Sequence, residues 1–177
     1  MSDDNDLILD FVNTLELRPY EESLGKPADL TAWLVGQGLL VDGARASGRD
    51  LAVAKEIREA IRLLLLAHNE AAVDDVAPLA VLDAAARRVQ LNMCFRDGKA
   101  QCQPAATGVP GALGLILGAV ANAMASPDWP RLKACRADDC RWVYLDTAKN
   151  HSRAWCSMSS CGNRAKVSAY RERLAQG

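Results

Sequence analysis

Apolar residues recur at helical spacing through most of the N-terminal 125 residues, so the chain reads as mainly α. Leu7, Ile8, Phe11, Val12 and Leu15 share one stripe and predict a first helix over 7–17, followed by a loop from Arg18 to Lys26. Asp29 is placed to cap a second helix carrying Leu30, Trp33 and Leu34. That helix should stop at Gly38 and turn Leu39 and Leu40 back into the core. The longest pattern opens at Asp50 and runs to about Ala72, with Val53, Ile57, Ala60, Ile61, Leu64 and Leu65 on one face. Pro78 opens a further helix. Val89 to Phe95 and Lys99 to Cys102 then flank Asp97-Gly98, a β-hairpin pattern. A two-residue turn there pairs Cys94 with Gln101 and Met93 with Cys102, setting the two thiols on opposite faces; a three-residue turn would set them opposite each other. Both are expected to serve as small buried hydrophobes. Val109 to Ala125 predicts an apolar, buried, glycine-containing helix. Ser126-Pro127-Asp128-Trp129-Pro130 ends it and divides the chain into a helical domain, 1–126, and a small domain, 127–177.

Composition agrees with helices: half of the 177 residues are hydrophobic but only 5% are aromatic. Charge is divided unevenly. Residues 1–130 carry a net −7 and residues 131–177 a net +6, although the whole chain is close to neutral. A basic lobe suggests a polyanionic partner, and the acidic lobe opposes indiscriminate binding of it. The acidic start, Met1-Ser2-Asp3-Asp4-Asn5-Asp6, lacks the positive charge of a secretory signal, and no apolar run reaches membrane-span length. The expected location is cytoplasmic, with no membrane partner.

Inside the basic lobe, Cys135, Cys140, Cys156 and Cys161 follow the spacing C-x4-C-x15-C-x4-C. Each pair can form a knuckle presenting two thiolates, and the insert is long enough to fold back and deliver the second pair. In a reducing compartment such spacing points to zinc more than to disulfides. Four sulfur ligands close a tetrahedron and leave no open position, so the site is structural. Asp138, Asp139, Asp146 and His151 lie among the cysteines, but a full thiolate set makes them unnecessary.

After the last ligand, Gly162 permits a tight turn and Asn163 caps a helix running to about Ala175. Val167, Tyr170 and Leu174 share a face expected to pack on the knuckles. Arg164 and Arg171 border it on one side and Lys166 and Arg173 on the other, leaving Ala165, Ser168, Ala169 and Glu172 outward. Small residues between two basic rows would let a nucleic-acid backbone approach while the long side chains reach phosphates. The alternative is a solvated cap whose arginines offset the charge of the thiolate centre. Arg131, Lys133, Arg136, Arg141, Lys149 and Arg153 add further basic groups, with Trp142, Tyr144 and Trp155 between them.

The string Trp155-Cys156-Ser157-Met158 with Cys161-Gly162-Asn163-Arg164-Ala165-Lys166-Val167, together with Cys135, Cys140 and Leu145-Asp146, resembles the signature of the bacterial CGNR zinc-finger proteins. The preceding Leu9-Asp10-Phe11-Val12-Asn13-Thr14-Leu15, Leu30-Thr31-Ala32-Trp33-Leu34, Gly38-Leu39-Leu40 and Arg58-Glu59-Ala60-Ile61-Arg62 resemble the ABATE domain found before that finger. The resemblance implies a helical N-terminal domain and a stress-responsive transcription regulator whose finger binds DNA.

Catalysis finds no support: the chain carries no phosphate loop, no nucleophile elbow and no metal set with an open position. His68 is expected to be structural. Asn13, Arg18 and Tyr20 would suit an effector pocket, but Asn13 is expected instead to satisfy backbone groups and Arg18 to be solvated. The combined expectation is a non-enzymatic DNA-binding regulator with one zinc on Cys135, Cys140, Cys156 and Cys161. DNA is expected to meet Arg164, Lys166, Arg171 and Arg173, with Lys149 and Arg153 secondary, while the N-terminal domain takes a small-molecule effector or a protein partner. The alternative is a zinc-stabilised protein-interaction adaptor.

Overall fold

The computed structural model describes residues 3–41, 43–69, 73–96 and 98–175. Among them, α1 (Asp3–Val12), α2 (Pro27–Gly36), α3 (Gly48–Ala67), α4 (Val76–Arg88) and α5 (Gly108–Met124) build the helical body. Three antiparallel hairpins accompany them: β1 (Leu15–Leu17) with β2 (Tyr20–Glu22), β3 (Leu91–Arg96) with β4 (Lys99–Pro104), and β5 (Leu132–Ala134) with β6 (Val143–Leu145). A π-helical turn, Met158–Gly162, leads into α6 (Asn163–Ala175). The chain is mainly α, as its periodicity predicts.

Several elements follow the sequence closely. Gly38 takes a positive φ of 70°, the Leu39 N–H bonds the Leu34 carbonyl at 2.9 Å, and Leu40 is buried. In the β3–β4 register Cys94 faces Gln101 and Met93 faces Cys102, so the thiols lie on opposite faces and are free. Both are partly buried. Of the expected turn residues, Asp97 lies outside the described residues, as does Ala72, the expected end of the long helix.

Other boundaries move for reasons that tertiary contacts supply. The α1 helix stops at Val12 instead of Leu17, because Arg62 Nη2 takes the Val12 carbonyl at 2.7 Å and Thr14 Oγ1 bonds Phe11 O at 2.7 Å. The expected loop after Arg18 instead contains β2, paired with β1. Ser47 rather than Asp50 caps α3; its hydroxyl accepts from the Asp50 N–H while the Asp50 carboxylate accepts from the Ser47 N–H.

The core gathers Ile8, Phe11, Leu30, Leu34, Ile57, Ile61, Leu65 and Ile116, and it also takes in Leu132, Ala134 and Val143. The β5–β6 hairpin, which lies beyond the expected 126/127 boundary, is therefore packed into the helical body. Side chains bolt it there. Asn13 donates to Val143 O at 3.0 Å and accepts from Val143 N at 2.9 Å, imitating a strand neighbour. Asn69 donates to the carbonyls of Ala134 and Ala154 at 2.8 and 2.9 Å. His68 Nδ1 meets the Leu132 carbonyl at 2.7 Å; since a carbonyl only accepts, Nδ1 carries the proton.

Candidate metal centre and its basic surroundings

Each pair of cysteines is set by backbone geometry. Cys135 follows the β5 strand, and its N–H bonds Trp142 O at 2.9 Å. The chain then turns so that the N–H groups of Cys140 and Arg141 both reach Ala137 O. Cys156 precedes the π-helical turn and Cys161 lies within it; the turn is closed by the Gly162 N–H on Ser157 O at 3.0 Å. Space at Gly162 is tight: a Cβ would lie 2.8 Å from Met158 Sδ, at the movable end of that side chain, and 3.2 Å from the Trp155 ring.

The four Sγ atoms all lie within 4.8 Å of one another. Zinc–sulfur bonds of about 2.3 Å in a tetrahedron require sulfurs about 3.8 Å apart. Cys140 and Cys156 stand at 3.5 Å and Cys156 and Cys161 at 3.7 Å, so the donor set fits the ion. Thiol chemistry agrees. Donation from the Cys140 thiol lowers Cys135 to about 5, while Cys140 is pushed up by making that donation and burial pushes Cys156 up to about 12. A bound dication would favour the thiolate form of all four cysteines.

The insert between the knuckles is organised by Asp146, which is fully buried. It accepts from Lys133 Nζ at 2.7 Å, Arg153 N at 3.0 Å and Ala148 N at 2.9 Å. Burial raises its pKa, but the Lys133 ammonium and the two N–H groups outweigh that and hold it low. Asp146 is therefore a fold residue and lies apart from the metal set. Asp139 pairs with Arg18 and Arg164, and Asp138 with Arg141.

The residues expected to meet DNA separate into two groups. Lys149, Lys166, Arg171 and Arg173 are exposed. Arg164 and Arg153 are engaged internally. Arg164 binds Asp139 at 2.6 Å and donates to Cys161 Sγ at 3.1 Å; these anions raise its pKa, Asp139 first. Arg153 lies 4.5 Å over the Tyr144 ring and donates to the carbonyls of Trp155 and Cys156. Members of the wider basic group are also engaged by the protein itself: Lys133 is buried, Arg136, though exposed, donates to Asn69 O at 2.6 Å, and half-buried Arg131 to Asp146 O at 3.0 Å. Tyr144 is buried too and cannot stack on a base.

The terminal helix departs from its expected orientation. Val167, Tyr170 and Leu174 are 41, 58 and 65% exposed instead of packing on the knuckles. The opposite side, Ala165, Ser168, Ala169 and Glu172, lines a cleft of about 530 Å³ shared with Arg136, Ala137, Asp139 and Trp155. No residue of α6 is buried, so neither face packs into the finger. Arg164, in the first turn, ties only the start of the helix to Asp139 and Cys161.

Residues that periodicity alone did not single out include Arg58, Arg62 and Asn69. Arg62, 4% exposed, donates to Arg141 O at 2.9 Å and so joins the helical body to the first knuckle. Two arginines four apart on the longest helix, α3, were the available signal. Arg18 is exposed, as expected, and also pairs with Asp139 across the same junction. Asn13 does satisfy backbone groups, and Tyr20 is 73% exposed.

A helical body carrying a four-thiolate knuckle pair defines a zinc-finger protein with an N-terminal helical domain. The chain belongs to the ABATE family, described as "Putative stress-induced transcription regulator", whose pattern matches residues 5–133, and residues 131–174 match the CGNR zinc finger. No curated protein matches the chain. Among the described residues no helix is long and apolar enough to cross a membrane.

Proposed function

We propose that this protein is a cytoplasmic, DNA-binding transcription regulator acting in a stress response, with the finger as the DNA-reading part and the helical body as the sensor for a small-molecule effector or protein. In this reading it is a binding protein and no enzyme. Zinc on Cys135, Cys140, Cys156 and Cys161 holds the knuckles together, and Arg164 and Arg153 keep the finger in shape. Lys149, Lys166, Arg171 and Arg173 remain to meet phosphates.

The observation that carries the reading is this set of exposed basic groups on a finger of net +6, joined to a body of net −7. Phosphate contacts position a protein on a duplex, and the acidic body would repel DNA from every other face. A salt titration against a pool of genomic fragments tests it. Some fragments should stay bound at salt concentrations that release the rest; release of all fragments together would count against sequence-selective regulation.

A further inference from the structure

The outward face of α6 has no role in that reading. Val167, Tyr170 and Leu174 lie at positions i, i+3 and i+7, within about 60° of arc, and all three are exposed. No residue of α6 is buried. An isolated helix of about this length is marginal in water, so α6 gains least from its own chain and most from a partner. The spacing is that of one coiled-coil seam. On it, Lys166 and Arg173 flank one side and Arg171 the other.

We propose that α6 is a docking site for an acidic amphipathic helix of a protein partner, whose aliphatic seam packs on Val167, Tyr170 and Leu174 and whose flanking carboxylates meet Lys166, Arg171 and Arg173. The charges select this occupant. A second copy of α6 would place cation against cation along both flanks, whether the helices run parallel or antiparallel. A partner with Glu or Asp at those flanks removes the repulsion and adds ion pairs at the rim of an apolar contact. Because Lys166, Arg171 and Arg173 are also the groups assigned above to phosphates, partner and DNA would exclude each other. The docking itself rests on the apolar seam and stands without DNA binding.

The test uses the full-length zinc-loaded protein and a labelled synthetic helix of about three heptads with Leu at a and d and Glu at e and g, whose own charges prevent self-pairing. A control peptide keeps every Glu and carries Ser at a and d. The Leu peptide should bind and the Ser peptide should not. Tyr170→Ser and Leu174→Ser, at exposed positions, should each weaken binding by about tenfold or more with zinc content unchanged. Arg171→Gln should weaken it less and flatten its salt dependence. Equal binding of both peptides, absence of binding, or indifference to both seam substitutions would overturn the proposal. So would seam-dependent binding to phosphatidylglycerol vesicles without peptide binding, which would make the face a membrane contact. Loss of duplex binding in a protein that still takes the peptide would count against the DNA reading alone.

Discussion

Arg58 shows how single residues hold this fold. Its side chain is 2% exposed, yet it is fully paired: both terminal nitrogens meet Glu22 at 2.8 Å, Nη1 also reaches Thr14 at 3.1 Å, and Nε reaches Glu59 at 2.9 Å. Burial raises the Glu22 pKa, but Arg58, the Leu24 N–H and Lys55 outweigh it and bring it from 4.5 to about 2. A carboxylate depressed on folding stabilises the protein above its unfolded pKa and ceases to as the pH falls through its folded one. Relative to Glu22→Gln, the native protein should therefore hold up to about 3 kcal/mol of extra stability in the neutral range. That difference should shrink between pH 4.5 and about 2. Urea unfolding of both proteins across this interval checks it, and zinc release cancels because both share the same thiolates. A difference that stays level or grows on acidification would contradict the assignment.

Among the elements, α5 and β4 approach closely in the helical body. A Cβ on Gly118 would stand 2.8 Å from the Cys102 carbonyl oxygen, and one on Gly114 2.6 Å from Pro104 Cβ. Backbone cannot give way as a flexible side chain can, so Gly118→Ala should cost about 1–3 kcal/mol in thermal or urea unfolding, despite Ala being the better helix former. An unchanged or raised midpoint would show that the hairpin can lift off α5 freely. At this scale much was legible in the sequence. Apolar periodicity located α1, α2 and α3, Pro78 pointed to α4 and an apolar run to α5, and the pairing of Cys94 with Gln101 followed from a two-residue turn. What periodicity could not show is where a helix ends when a distant group takes its carbonyl, as Arg62 does for Val12, or which way an amphipathic helix faces. The seam of α6 satisfied every local rule for an inward stripe. In the structure no residue of α6 is buried, and the ion pair of Arg164 with Asp139, 25 residues away, holds only its first turn.

In the whole molecule, the four cysteines were fully legible because metal geometry constrains spacing directly, whereas the junction between body and finger was not. That junction runs through Asn13, Arg62, His68 and Asn69, residues that carry no pattern and act across 60 or more positions of sequence. Leu132, Ala134 and Val143 belong to the body's core, so a fragment of residues 1–126 should expose that core and lose the partners of Asn13, His68 and Asn69 and the Arg62 bond to Arg141. It should aggregate or unfold well below the full chain, as circular dichroism and light scattering would report. A fragment that stays soluble and fully helical would mean the hairpin adds little to the body. The central claim, that the finger holds DNA through the exposed basic groups of α6, is tested most directly by the salt dependence of duplex affinity in Arg171→Gln/Arg173→Gln with one zinc per chain retained. If both arginines touch phosphates, the slope of log affinity against log salt should fall in magnitude by about two units. An unchanged slope in a zinc-loaded, folded variant would contradict it.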